Sequence, residues 1–141
     1  MKGPRGGGRS LALVLGLGLL AISGFGQEAA PAGVRAVLGS DGIQRVEITG
    51  GSYYFAPNRI ILKVGVPAEL IVRKVGGTPH KIRMRSPEAG MSFSACLHKK
   101  PRTIKFTPTK VGVYQFWCPM HLPFMKSHRG HGMHGRIEVV E

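Results

Sequence analysis

Beyond residue 42, apolar and polar residues alternate in short runs broken by Gly, Pro and Asn. Residues 81–84 (KIRM) and 103–107 (TIKFT) alternate strictly, and Pro108 closes the second run. Residues 59–64 (RIILKV) stop at Gly65, and 68–75 (AELIVRKV) stop at Gly76-Gly77. Residues 43–49 (IQRVEIT), 53–55 (YYF), 113–118 (VYQFWC) and 136–140 (RIEVV) complete the set. Side chains on a strand point alternately to two faces, so each run can bury one face and wet the other. Seven or eight strands at near-regular spacing, without a long helical period, predict an all-β fold, an antiparallel β-sandwich. Residues 85–99 (RSPEAGMSFSACLHK) fit no strand and read as a long loop with room for one helical turn.

The first residues follow another pattern. Lys2, Arg5 and Arg9 precede the apolar run 11–22 (LALVLGLGLLAI), and small residues follow at Ser23, Gly24 and Gly26. That order predicts a secretory signal peptide over residues 1–26, and so an exported, periplasmic or secreted protein. The run is short of the roughly 20 apolar residues of a membrane span. An uncleaved anchor is the alternative, but no stable membrane insertion is expected once the signal is removed. Residues 27–42 read as a flexible lead-in, and 43–141 as the folded domain, large enough for one core.

Without Lys2, Arg5 and Arg9, the chain keeps 17 Lys and Arg against 7 Asp and Glu, a surplus of +10. Such a charge favours an acidic partner surface or an anionic membrane. Nucleic acid is the poorest candidate for an exported chain that lacks an aromatic-basic RNA-binding signature. Two cysteines, Cys96 and Cys118, lie beyond the signal, and in an oxidising compartment a pair defaults to a disulfide.

Candidate chemistry concentrates in residues 118–135 (CPMHLPFMKSHRGHGMHG), which hold one Cys, four His and three Met. Tyr114, Phe116 and Cys118 share one parity, which puts Cys118 at a strand end pointing to the core rim. The loop that follows is too long and too apolar for a solvated linker, and should pack down over something. A thiolate, imidazoles and a thioether together suit copper, and two His with one Cys and a distant Met make an electron-transfer site. His80, after the Gly76-Gly77 turn and before a strand, is the natural ligand from outside the loop. A Met ligand has no role in structural zinc. Covalent haem would need C-x-x-C-H, which is absent. No Ser-His-Asp or paired-carboxylate arrangement supports hydrolysis.

Over residues 50–141 the sequence resembles the cupredoxins, blue copper proteins of the plastocyanin and azurin type. The resemblance is carried by Phe55-Ala-Pro-Asn58, Ile61-Leu-Lys-Val-Gly65, Pro79-His80, the G-x-Y-x-F-x-C of 112–118 and the G-M-x-G of 132–135. It implies a Greek-key β-sandwich, one type 1 copper ion and one-electron transfer without enzymatic activity. Carried over by position, His80, Cys118 and Met133 would be ligands. The second histidine has two candidates. Two residues separate His121 from Cys118 and eleven separate it from Met133, whereas nine separate His128 from Cys118 and four separate it from Met133. His128 is preferred, as the residue held to Met133 by a short Gly-containing turn. The implied partner is a redox protein with an acidic docking surface. Two alternatives remain: a Cu(I) carrier or buffer using the Met and His of the loop, and a disulfide-stapled β-sandwich interaction module.

Overall fold

The alternating runs become strands that bury every second side chain. In the computed structural model, which describes Gly3 and residues 32–141, eleven strands are formed among the described residues. They are β1 (Val34–Arg35), β2 (Val37–Leu38), β3 (Gln44–Gly51), β4 (Tyr54–Ala56), β5 (Arg59–Lys63), β6 (Ala68–Lys74), β7 (Lys81–Ser86), β8 (Met91–Cys96), β9 (Arg102–Phe106), β10 (Gly112–Trp117) and β11 (His134–Val140). One sheet has the order β1-β5-β11-β10-β7-β8, and the other β2-β3-β6-β9, with β4 paired to β3. Apart from Gly3, the expected signal peptide lies outside the described residues. No helix among the described residues is long and apolar enough to cross a membrane.

The core lies between the sheets. Ile48, Leu70 and Val72 face Ile60, Leu62, Ile82, Met84, Phe116, Ile137 and Val139, all nearly inaccessible to solvent. Burying each such side chain contributes about 1.5–3 kcal/mol. Phe55 meets Phe116 edge-on at 5.3 Å between ring centres, bridging β4 and β10. One buried polar side chain joins the sheets. The Gln44 amide donates to the Lys63 and Val66 carbonyls and accepts from the Lys63 N–H, at 2.8–2.9 Å. Its hydrogen-bonding groups are therefore satisfied, as burial requires.

The all-β sandwich agrees with the sequence reading, but three expectations change. The pairing is mixed, because β3–β6, β5–β11 and β1–β5 run parallel. The segment expected as a loop, 85–99, is mostly strand: a single 3-10 turn at Pro87–Ala89 leads into β8, paired residue by residue with β7. Its inward positions, Met91, Phe93 and Ala95, do alternate, but the Ser92, Ser94 and Cys96 between them are small and weakly polar. Within the expected lead-in 27–42, Val34–Arg35 and Val37–Leu38 form strands. β1 pairs with β5 and β2 with β3, covering one edge of each sheet.

Replacing Phe116 by Ala should cost about 3–5 kcal/mol in urea unfolding, by cavity formation between the sheets. Val113→Ala, at an exposed position of the same strand, should stay within about 0.5 kcal/mol. Equal losses would contradict this core assignment.

Candidate metal centre

Antiparallel pairing brings the candidate residues together. β10 lies between β11 and β7 and runs against both, so its C-terminal end meets their N-terminal ends. Cys118 follows β10, His80 precedes β7 and Met133 precedes β11. All three are buried. The Cys118 N–H donates to the Met133 carbonyl at 3.0 Å, and the Lys81 N–H points at the Cys118 Sγ at 3.5 Å.

His128 arrives from the loop. Its N–H donates to the Met120 carbonyl at 2.9 Å, and its own carbonyl accepts from the Met133 N–H at 3.0 Å. Between them, Arg129–His131 form a 3-10 turn closed by Gly132 at φ +102°, a conformation that favours glycine. The turn folds His128 back against Met133. His128 Nδ1 then lies 3.3 Å from His80 Nδ1 and 3.5 Å from Cys118 Sγ. One ligand atom from each of His80, Cys118 and His128 falls within 4.8 Å of the others. His121, the rival for this place, is exposed and outside the group.

The spacing fits a metal. Nitrogens and a sulfur at bonding distance from one centre, at trigonal or tetrahedral angles, lie roughly 3.3–3.8 Å apart. Burial holds the His80 imidazole below its usual pKa, with His128 and Lys74 adding to the effect. Burial does the same to His128, helped by His131. Both rings therefore stay neutral near pH 7 and keep a lone pair for a metal. The His80 Nε2 is buried without a hydrogen-bond partner. That leaves Nδ1 as the polar atom of His80 that faces the group. Soft sulfur beside imidazole is a donor set suited to copper.

The supporting shell contains residues that the sequence did not single out. Tyr53, at the β3–β4 turn, stacks on His131 at 4.5 Å and meets His128 edge-on at 5.1 Å. It stands in the aromatic run 53–55, which carries no mark of such a role. Gly50 leaves room for the Leu97 side chain beside Met133, which a Cβ there would strike. Trp117 faces away from Cys118, half-buried, with the Arg129 guanidinium 4.8 Å above its ring.

One reading is corrected here, and one alternative falls. The middle of the loop does not roof the site. Met120 packs on the core, but Leu122, Phe124 and Met125 project into solvent. The loop is anchored through its backbone and through His128, so these apolar side chains are not needed to hold it. Cys96 and Cys118 are both free, one exposed on edge strand β8 and one buried in the site. The disulfide-stapled module therefore loses its staple.

The depressed histidines set a pH dependence. The unfolded chain protonates them near pH 6.5, while the folded chain resists protonation to lower pH. The folded state thus binds fewer protons, and stability of the metal-free protein should fall as pH drops below about 6.5. The urea midpoint should decrease from about pH 7.5 to 5.5, and less steeply in His80→Asn. A midpoint that rises on acidification would contradict the burial of neutral imidazoles.

A family model for the cupredoxin-like domain matches residues 15–129, a span that includes His80, Cys118 and His128 and ends before Met133. No curated protein matches the chain. Among solved structures, the chain is similar to the metal-binding domain of the Streptococcus pneumoniae D39 Cu(I)-exporting P-type ATPase CopA, solved with Cu(I). Identity is 24%, coverage is 77% of this chain and 95% of that one, and the TM-score is 0.60. An apo copper binding protein solved by NMR gives 23% identity, coverage of 77% and 98%, and a TM-score of 0.59. Dithionite-reduced auracyanin from Roseiflexus castenholzii gives 17%, 69% and 97%, and 0.50. At these identities the likeness is one of fold. With the family match spanning most of its length, the chain belongs to the cupredoxin-like domain family.

Proposed function

We propose that the chain is an exported copper protein that carries single electrons between redox partners. One copper ion would be held by Nδ1 of His80, Nδ1 of His128 and Sγ of Cys118, with Met133 as the fourth ligand. The observation that carries this reading is the convergence of two neutral imidazoles and a cysteine sulfur on one buried point. Bound copper would supply the Cu(I)/Cu(II) couple.

The chain's own part is to hold its ligands still. His80 and Met133 directly precede β7 and β11, Cys118 follows β10, and His128 is tied by backbone hydrogen bonds at both its N–H and its carbonyl. A ligand set fixed this way rearranges little when an electron arrives or leaves. Burial keeps water away from the sulfur. His128 is slightly more exposed than His80, 9% against 2%, and is the better exit for an electron. Four protein ligands leave no open position for a substrate, so the chain is not read as an enzyme. The basic surplus would steer an acidic redox partner.

One observation favours a second reading, a Cu(I) carrier. The loop presents the Met125 thioether and the His121 imidazole to solvent beside the site, and these would accept and pass on Cu(I).

Adding Cu(II) to the purified protein separates the two. Electron transfer predicts an intense visible thiolate-to-copper absorption, lost in Cys118→Ser and His128→Ala and retained in His121→Ala. Tight but colourless Cu(I) binding supports the carrier instead. Loss of the band in His121→Ala alone would overturn the ligand assignment.

A further inference from the structure

Phe124 is the most exposed large apolar side chain among the described residues, and Leu122 and Met125 beside it are mostly exposed as well. The tip is a tight turn closed by a hydrogen bond from the Met125 N–H to the Leu122 carbonyl at 3.1 Å. Pro123 occupies its second position and Phe124, at φ +62°, its third. A turn with Pro followed by a positive φ calls for Gly or Asn at that third place. Here a bulky aromatic takes it, and the turn holds its ring out in water. Neither local backbone preference nor core packing accounts for that choice.

The surroundings carry one sign of charge. Between Glu88 and Glu138 the sequence has no Asp or Glu. Lys126 flanks the tip, and exposed Lys99 and Lys100 follow β8 at the same end, where the Leu97 N–H bonds to the His80 carbonyl. Asp41 and Glu69 are paired with Arg45, and Glu138 with Arg59. Those acids do not offset the field at this end.

A convex apolar knob needs a partner that yields around it, and flanking lysines need phosphates or carboxylates in a surface. A bilayer interface offers both: aromatic and aliphatic side chains enter the headgroup–acyl boundary while cations lie over anionic headgroups. We infer that the metal-site end of this protein seats reversibly on an anionic lipid bilayer, with Phe124, Leu122 and Met125 entering the interface and Lys126, Lys99 and Lys100 on the lipid phosphates. Such seating keeps the site beside redox centres carried by the same membrane, a consequence that alone rests on the electron-carrier reading.

The test uses the metal-free full chain, so the copper assignment does not enter it. Trp117, the only Trp of the chain, lies at the base of the loop under Arg129, so brominated lipid that quenches it reports contact through this end. Quenching is expected with vesicles of brominated phosphatidylcholine and phosphatidylglycerol, and should be weak without the anionic lipid and at high salt. Phe124→Ser should weaken the vesicle-dependent quenching about tenfold. Lys126→Ser should weaken it about fivefold. Equal quenching in wild type and Phe124→Ser, or equal quenching on neutral vesicles, would overturn the inference. So would Phe124-dependent self-association without lipid, which would assign the tip to a second copy. Phe124-dependent binding of a purified acidic protein with no vesicle binding would overturn it in favour of a protein partner.

Discussion

Three backbone hydrogen bonds decide where the chemistry of this chain sits. The Cys118 N–H holds the Met133 carbonyl, the Met133 N–H holds the His128 carbonyl, and the His128 N–H holds the Met120 carbonyl. They stitch both ends of a fourteen-residue connection to each other and to the strands around it. Each contributes about 0.5–1.5 kcal/mol net, but their main effect is geometric. With them in place, His128 faces His80 and Cys118. The 3-10 turn at Arg129–His131 and the left-handed Gly132 supply the reversal that the second of these bonds requires.

The sandwich serves this arrangement by delivering the other side chains to the same point. β10 between two antiparallel neighbours sets one strand end against two strand starts, which is how Cys118, His80 and Met133 become adjacent despite wide separation in sequence. Burial then acts on the chemistry, since the desolvation that costs the imidazolium forms leaves both rings neutral. Charge is sorted between the regions of the molecule. The carboxylates of Asp41, Glu69 and Glu138 are drawn into ion pairs with arginines, and no acidic group among the described residues joins the candidate metal-site cluster. A soft donor set with two neutral imidazoles inside a basic surface is the result.

Much of this was legible in the sequence, for physical reasons. Strict alternation in 81–84 and 103–107 reflects strands with one wet face, and the parity of Tyr114, Phe116 and Cys118 placed the sulfur at the core rim, where it is. The grouping of His80 and Cys118 with His128, in preference to His121, followed the short Gly-containing turn before Met133, and the structure brings those three together. Other features had no local signal. β8 was hidden because its outward residues are Ser and Cys, too weakly polar to mark alternation. The parallel pairing of β3 with β6 joins distant segments, and no turn chemistry encodes it. The apolar residues of 121–125 suggested packing, yet backbone bonds secure the loop and leave Phe124 in solvent. Tyr53 supports His128 through a contact between residues 75 positions apart, which no pattern within one strand reveals.

The metal of this protein would sit at one buried point between His80, Cys118 and His128. Anomalous diffraction at the copper edge from copper-loaded crystals tests it most directly. One strong peak is expected at bonding distance from Nδ1 of His80, Nδ1 of His128 and Sγ of Cys118. A peak on His121 or on the exposed loop methionines, with that point empty, would contradict it.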